Sequence, residues 1–160
     1  MLLIRPATVD DVRTIWTLIR EFAEYEGELD LVEITEADIV RDGFGPAPKF
    51  RVLIAEGDGK IAGYALFFEI YSTWAGRAAL FLEDLFVRAE FRGEGIGRAL
   101  MRRVASVAHH EGCFGLRWEV RDWNEPAVKL YRELGGKFLD DRRTVLLMGE
   151  PFKRSAGETR

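Results

Sequence analysis

A mixed α/β fold, with antiparallel strands first and a crossover later, is predicted by three features of this 160-residue sequence. Short apolar runs suited to strands alternate with segments whose apolar residues recur at helical spacing. Gly57-Asp58-Gly59 joins two of the runs in the manner of a tight hairpin. A glycine-rich loop, Arg92-Gly93-Glu94-Gly95-Ile96-Gly97, stands between a strand-like run and a helix-like one. The predicted order is β-α-α-β-β-β-α-β-α-β, with residues 1–150 forming one domain and 151–160 a polar tail.

Each element has its own warrant. A short strand spans Leu3 to Arg5, and Thr8 with Asp11 forms an N-capping pattern after it. Val12, Ile15, Trp16, Ile19, Phe22 and Ala23 follow at the spacing of one helix face. Thr35 with Asp38 starts a shorter helix, and Asp42-Gly43-Phe44-Gly45-Pro46-Ala47-Pro48 is expected to be loop. The hairpin pairs the run from Phe50 to Glu56 with the run from Lys60 to Tyr71. A third strand covers Arg77 to Val87. A helix follows the glycine loop, a strand spans Gly115 to Val120, and Asn124 opens another helix that Gly135 and Gly136 stop. Thr144 to Glu150 is expected to be the last strand.

Composition narrows the possible functions. The net charge of −4 argues against a general nucleic-acid binder. No apolar run approaches the roughly 20 residues that cross a bilayer, and the N-terminus lacks the pattern of a secretory signal. The one cysteine, Cys113, fits a reducing compartment, so a cytoplasmic protein is expected. Between Glu21 and Asp38 stand Glu21, Glu24, Glu26, Glu28, Asp30, Glu33, Glu36 and Asp38, with no Lys or Arg among them. This stretch is either a solvated face or an acidic rim that concentrates a cationic ligand.

Glycines before a helix let bare backbone N–H groups, at the positive end of the helix dipole, approach a phosphate. The spacing departs from the dinucleotide fingerprint, because the third glycine is Gly97 and position 98 is Arg. It also lacks the Gly-Lys-Ser/Thr ending of a P-loop. Ile96, Leu100, Val104 and Val107 form an apolar stripe, whereas Arg98, Arg102 and Arg103 give the helix a basic face. The segment is therefore either a tight turn before a basic-faced helix or a cradle for a polyphosphate.

The loop Arg92 to Gly97 resembles the Arg/Gln-x-x-Gly-x-Gly/Ala signature of the GCN5-related N-acetyltransferases. Further matches, Ile4 to Thr8, Glu24-Tyr25-Glu26, Asp42 to Gly45, Leu82 to Val87 and Trp123 to Tyr131, follow the order of that family's diamine (spermidine/spermine) and thialysine acetyltransferase branch, from Ile4 to about Gly136. The resemblance implies the fold of that family and an acetyl-CoA-dependent transfer to a primary amine of a small cationic acceptor, with no metal. It also implies a homodimer, and the composition leaves no expectation of nucleic-acid or membrane partners. On the cofactor side it implies Arg92, Gly93, Glu94, Gly95, Ile96, Gly97 and Arg98 at the pyrophosphate. Backbone of Leu85, Phe86 and Val87 would hold the pantetheine arm and supply a donor to the thioester oxygen, and Asn124, Glu125, Pro126 and Ala127 would line the cofactor.

Acetyl transfer needs a neutral amine, and an alkyl ammonium gives up its proton only at a cost of roughly 4–5 kcal/mol near pH 7. Glu83 and Asp84 stand in an otherwise apolar strand, where a carboxylate needs a partner or a task. Alternation points them to opposite faces, and either can instead pair with an arginine across the sheet. The resemblance selects Glu83 as substrate-binding residue and proton acceptor. It gives Tyr131 the role of general acid toward the departing thiolate; by itself Tyr131 reads as core, on a stripe with Ala127 and Leu134. Tyr25 and Glu26 match acceptor-binding positions, and Trp118 and Glu119 add an apolar wall and a charge. The chain departs from the polyamine enzymes at Ser72-Thr73, where they carry Asp-Pro before the residue matching Trp74. A smaller diamine or a thialysine-like amino acid is thereby as well suited as spermidine. A protein-amine acetyltransferase and a non-catalytic acyl-CoA-binding module are the alternatives. His109-His110 suits a helix C-terminus, and Cys113 reads as structural.

Overall fold

The computed structural model of the chain describes residues 1–157. They fall into two compact units that part after Arg121. The first holds one five-stranded sheet in the order β1 (Leu2–Pro6), β2 (Arg51–Gly57), β3 (Lys60–Ser72), β4 (Arg77–Val87), β5 (Leu116–Trp118). The first four strands are antiparallel, and β5 joins β4 in parallel after a crossover through α3 (Ile96–His110). Asp58 and Gly59 both have positive φ (49° and 76°), the geometry of the two-residue hairpin expected from that dipeptide.

The helix starts follow the local chemistry. Asp11 Oδ2 accepts from Thr8 N at 2.8 Å, and a single turn there leads into α1 (Val12–Glu26). Thr35 and Asp38 cap α2 (Glu36–Phe44) reciprocally, at 3.2 Å and 2.9 Å. Val12, Ile15 and Leu18 of α1 and Ile39 of α2 pack with Val52, Ile54, Tyr64, Leu66 and Phe86 on one face of the sheet. Alternation sends Leu53 and Phe67 to the other face, where α3 buries Ile96, Leu100, Met101, Val104 and Ala108. Each fully buried large aliphatic among these contributes about 1.5–3 kcal/mol.

Three expectations are corrected here. Asp42-Gly43-Phe44 belongs to α2, and the loop begins at Gly45. Gly43 admits the Phe50 ring against the helix: a Cβ there would stand 2.9 Å from that ring. At Gly45 a Cβ would meet the Arg41 carbonyl at 2.3 Å. The strand expected over 115–120 is shorter, ending at Trp118. The expected last strand is absent among the described residues. Val145, Leu146, Leu147 and Met148 are exposed, and α5 (Gly149–Ser155) follows. Apolar, β-branched composition marks strand propensity, but a strand also needs an edge to pair with, and Gly149 with φ of 61° ends the extended run. Pro151 to Ser155 of the expected tail lie in α5, and residues 158–160 lie outside the described residues.

The second unit carries α4 (Glu125–Glu133), whose N-terminus Asn124 Oδ1 caps by accepting from Ala127 N at 3.4 Å. Pro126 sits in its first turn, and Gly135 with φ of 83° follows its end. Among the described residues no helix is long and apolar enough to cross a membrane.

Candidate functional site

The glycine loop and the strand before it set the site in the first unit. Gly93 and Gly95 have φ of 85° and 79°, a region that L-residues rarely adopt. No heavy atom lies within 4 Å of where a Cβ would stand at either position. These glycines therefore serve backbone conformation and openness rather than close packing. Gly95 is also the N-cap of α3, and no side chain caps this end. A helix N-terminus approached by bare backbone suits an anion, so the residues present fit the pyrophosphate of acetyl-CoA.

Arg92 makes contacts with the protein itself. Its guanidinium lies 4.4 Å over the Tyr25 ring and 5.8 Å from the Phe86 centroid, while Nε donates to the Val87 carbonyl at 2.9 Å. It fastens the loop to the end of β4 and to α1. Arg88, just after β4, ties to α1 and β3, donating to both carboxylate oxygens of Glu21 at 2.8 Å and to the Ile61 carbonyl at 3.0 Å.

Strand β4 is irregular where chemistry was expected. Leu66 pairs with Asp84 but Phe67 pairs with Leu82, so Glu83 has no counterpart on β3 and forms a bulge. Neighbours on β3 face opposite sides, so the bulge inverts the phase of β4: Leu82 follows Phe67 and Asp84 follows Leu66. The alternation along β4 is thus broken at Glu83, which is exposed, while Asp84 is turned to Tyr64. On its other edge, β4 pairs with β5 only from Leu80 to Leu82. From Glu83 to Val87 it has β3 as its one strand neighbour. Leu85 and Val87 are half-buried, whereas Phe86 is buried, its ring 5.7 Å from Phe22 and 6.3 Å from Tyr25. Backbone is thus what Phe86 can present to a ligand.

Carboxylates gather where the strands part. Desolvation, then the charge of Glu119, pushes the Glu83 carboxyl above its ordinary range even though Glu83 is an exposed residue. Desolvation pushes Asp84 up further, to about 7, against the lowering effect of a hydrogen bond that Tyr64 Oη donates at 2.9 Å; Glu83 and Glu26 add to the rise. Tyr64, fully buried, has its own phenol raised by burial and then by Asp84. Glu26, Glu83, Asp84 and Glu119 therefore share one electrostatic neighbourhood, although among the described residues no group of His, Cys, Asp or Glu is arranged to hold a metal ion.

The acidic stretch on and after α1 is less free than its sequence suggests. Glu21 pairs with Arg88, Glu36 with Arg13 and Asp38 with Arg41. Glu26 and Glu28 both pair with Arg121, at 3.5 Å and 2.5 Å. Tyr25, Glu26, Trp118 and Glu119 all lie in the first unit with Glu83, Glu119 just beyond the end of β5. Asn124 to Ala127 and Tyr131 lie in the second unit, where Tyr131 is buried. Asp84, Tyr64, Arg88 and Arg121 were not singled out as site residues from sequence. An arginine two residues after Glu119 was the available signal for the last of these. His110 Nδ1 lies 2.6 Å from the Ser106 carbonyl at the end of α3, and burial raises the Cys113 thiol.

A family model for the acetyltransferase (GNAT) family matches residues 10–136. Open backbone before a helix, and a strand parted from its neighbour beside clustered carboxylates, thus belong to an N-acetyltransferase, and the chain is a member of the GNAT family. Within that class it is 41% identical to the thialysine N-epsilon-acetyltransferase of Sus scrofa, over 98% of each chain. Identity to the Bos taurus protein of the same name is 43%, again over 98% of each. The human spermidine/spermine N(1)-acetyltransferase-like protein 1 is 37% identical over 82% of this chain and 20% of its own length. Among solved structures, an integron cassette protein from the mobile metagenome of V. cholerae has the same fold, with a TM-score of 0.78 at 22% identity over 97% of each chain. An aminoglycoside acetyltransferase from a soil metagenome, in complex with sisomicin, matches with a TM-score of 0.77 at 16% identity, over 92% of this chain and 97% of that one.

Proposed function

We propose that this acetyltransferase moves the acetyl group of acetyl-CoA to a primary amine of a small cationic acceptor, with both bound at once. The observation that carries the reading is the gathering of Glu26, Glu83, Asp84 and Glu119 where β4 loses its β5 neighbour, beside the glycine loop. Clustered carboxylates attract an ammonium group, and the same desolvation that raises Glu83 makes it a better proton acceptor than an ordinary glutamate. The family relatives named for thialysine and spermidine/spermine support an acceptor of this kind.

Acetyl-CoA supplies the activated acyl group as a thioester. In this reading the backbone of residues 93–97 and Arg98 hold its pyrophosphate, with Glu94 and Ile96 contributing main chain. Arg92 keeps the loop fastened to Tyr25. Leu85 to Val87 offer main-chain groups to the pantetheine arm and a donor to the thioester oxygen. Asn124 to Ala127 complete the cofactor side. Tyr25, Glu26, Trp118 and Glu119 orient the acceptor, Glu83 takes the proton from its nitrogen directly or through water, and Tyr131 returns a proton to the leaving sulfur.

The test is thiol release from acetyl-CoA in the presence of thialysine, putrescine, spermidine, lysine or a basic peptide. Turnover on a small amine, strongly reduced by Glu83→Gln and Tyr131→Phe, is the expected result. Turnover confined to the peptide would sink the small-acceptor reading. Acetyl-CoA binding with no turnover on any of the amines would favour an acyl-CoA-binding module instead.

A further inference from the structure

The pairing of Arg121 with Glu26 and Glu28 joins two parts of the first unit that lie more than ninety residues apart in sequence, the end of α1 and the segment after β5. Glu26 is also one of the charges that raise Asp84 and Tyr64. A single guanidinium is thus set between the carboxylate neighbourhood assigned to the acceptor and the adjoining acidic turn. It takes up two carboxylates that lie within or next to the neighbourhood assigned to the acceptor. With side-chain exposures of 48% for Arg121 and 40% for Glu28, the pair with Glu28 is open to competition from solvent-borne cations. Glu26 is more enclosed, at 18%.

We infer that Arg121 is a specificity-determining residue that biases the site against extended polyamines and toward acceptors with a single side-chain ammonium. This inference rests on the amine-acceptor reading of the site and deepens it. The guanidinium acts as a built-in substitute for a distal ammonium. A long polycation has to break an existing ion pair to gain an equivalent one, so its extra charges bring little net affinity. An acceptor that places one ammonium near Glu83 leaves the Arg121 pairs intact. Removing Arg121 releases both carboxylates to the ligand and raises the local negative potential, which favours the more highly charged amine.

Calorimetric titration of the full chain with spermidine and with thialysine, in the presence of coenzyme A, tests this with Arg121→Leu and Arg121→Lys. Arg121→Leu is expected to tighten spermidine binding about fivefold relative to thialysine, the scale of one exposed ion pair. Arg121→Lys, which keeps the charge, is expected to retain most of the original preference. An unchanged ratio in Arg121→Leu, weaker binding of both amines alike, or no spermidine binding by that variant would overturn the inference and leave Arg121 as a tie between α1 and the end of β5. Thiol release by the unaltered protein is recorded in parallel. Its absence on every amine would refute the proposed transfer, while the ratio of the two affinities still decides the role of Arg121.

Discussion

The guanidinium of Arg92 rests 4.4 Å over the ring of Tyr25, linking the first residue of the glycine loop to the last turn of α1. The same side chain donates to the carbonyl of Val87, the last residue of β4. One arginine therefore joins the surface assigned to the cofactor with the surface assigned to the acceptor. Arg92→Ala is expected to raise KM for acetyl-CoA and for the amine together, by a few-fold each, because a cation–π contact at an exposed site is worth about 0.5–1 kcal/mol. Steady-state kinetics with each substrate varied in turn checks this. A change confined to acetyl-CoA would mean that Arg92 acts on phosphate alone.

Glu83→Gln is expected to lower kcat by about 10²–10⁴-fold, the usual worth of a positioned base, with the melting temperature little changed because Glu83 is exposed. The unaltered enzyme should lose kcat/KM on the acid side with a midpoint above the ordinary glutamate range, since partial desolvation and Glu119 raise the Glu83 carboxyl and only its ionised form accepts a proton. A midpoint at the value of a free glutamate would contradict this assignment.

Asp84 makes stability depend on pH. With its carboxyl at about 7 in the fold, against 3.8 ordinarily, the folded chain holds a proton that the unfolded chain has released. Stability contributed by this group is therefore greatest below pH 3.8 and is lost as pH rises to about 7. Asp84→Asn carries no such dependence and can still accept from Tyr64. Its stability relative to the unaltered protein is expected to rise across that window by on the order of 2–4 kcal/mol, levelling off above it. Urea denaturation at several pH values measures the difference, and parallel curves would exclude the effect.

Glycine-to-alanine changes should separate conformation from crowding. Gly95→Ala meets open space but is forced to positive φ, so a stability loss of about 1–2 kcal/mol is expected, together with weaker acetyl-CoA binding. Gly63→Ala places a Cβ 2.3 Å from the Phe86 carbonyl and 3.0 Å from the Val87 Cα, where β3 and β4 approach. It is expected to cost about 1–3 kcal/mol through displacement of backbone. Thermal melts and acetyl-CoA titrations of both variants check the contrast.

Tyr131→Phe is expected to lower kcat with little effect on either KM, as befits a proton donor to the leaving group. Equal loss of kcat and thermal stability would instead mark Tyr131, which is 6% exposed, as a packing residue.

Local chemistry made much of the fold legible. Asp58-Gly59 dictates a hairpin because both residues tolerate positive φ, and Thr35 with Asp38 dictates a helix start because each satisfies the other's backbone. The glycine loop was legible for the same reason. What escaped were relations between segments. Nothing in Leu82-Glu83-Asp84-Leu85 announces a bulge, because the extra residue is defined by its partner on β3. The strand expected over 144–150 has the composition of a strand but no neighbour to pair with among the described residues. Arg121 looked unremarkable because its partners, Glu26 and Glu28, lie in a distant acidic stretch that reads equally well as solvated surface.

The parting of β4 from β5 after Leu82 has a consequence for how the free protein meets solvent and other chains. A strand with one bonded edge exposes every second amide of the stretch to exchange, so deuterium uptake should change abruptly between Leu82 and Val87. Such an edge is also an adhesive template for another extended chain. Here it is only five residues long and begins with the exposed Glu83, near the charge of Glu119, so a neighbouring molecule's backbone would have to dock beside negative charge. The unpaired stretch is thereby shielded against becoming a seed for sheet-to-sheet association.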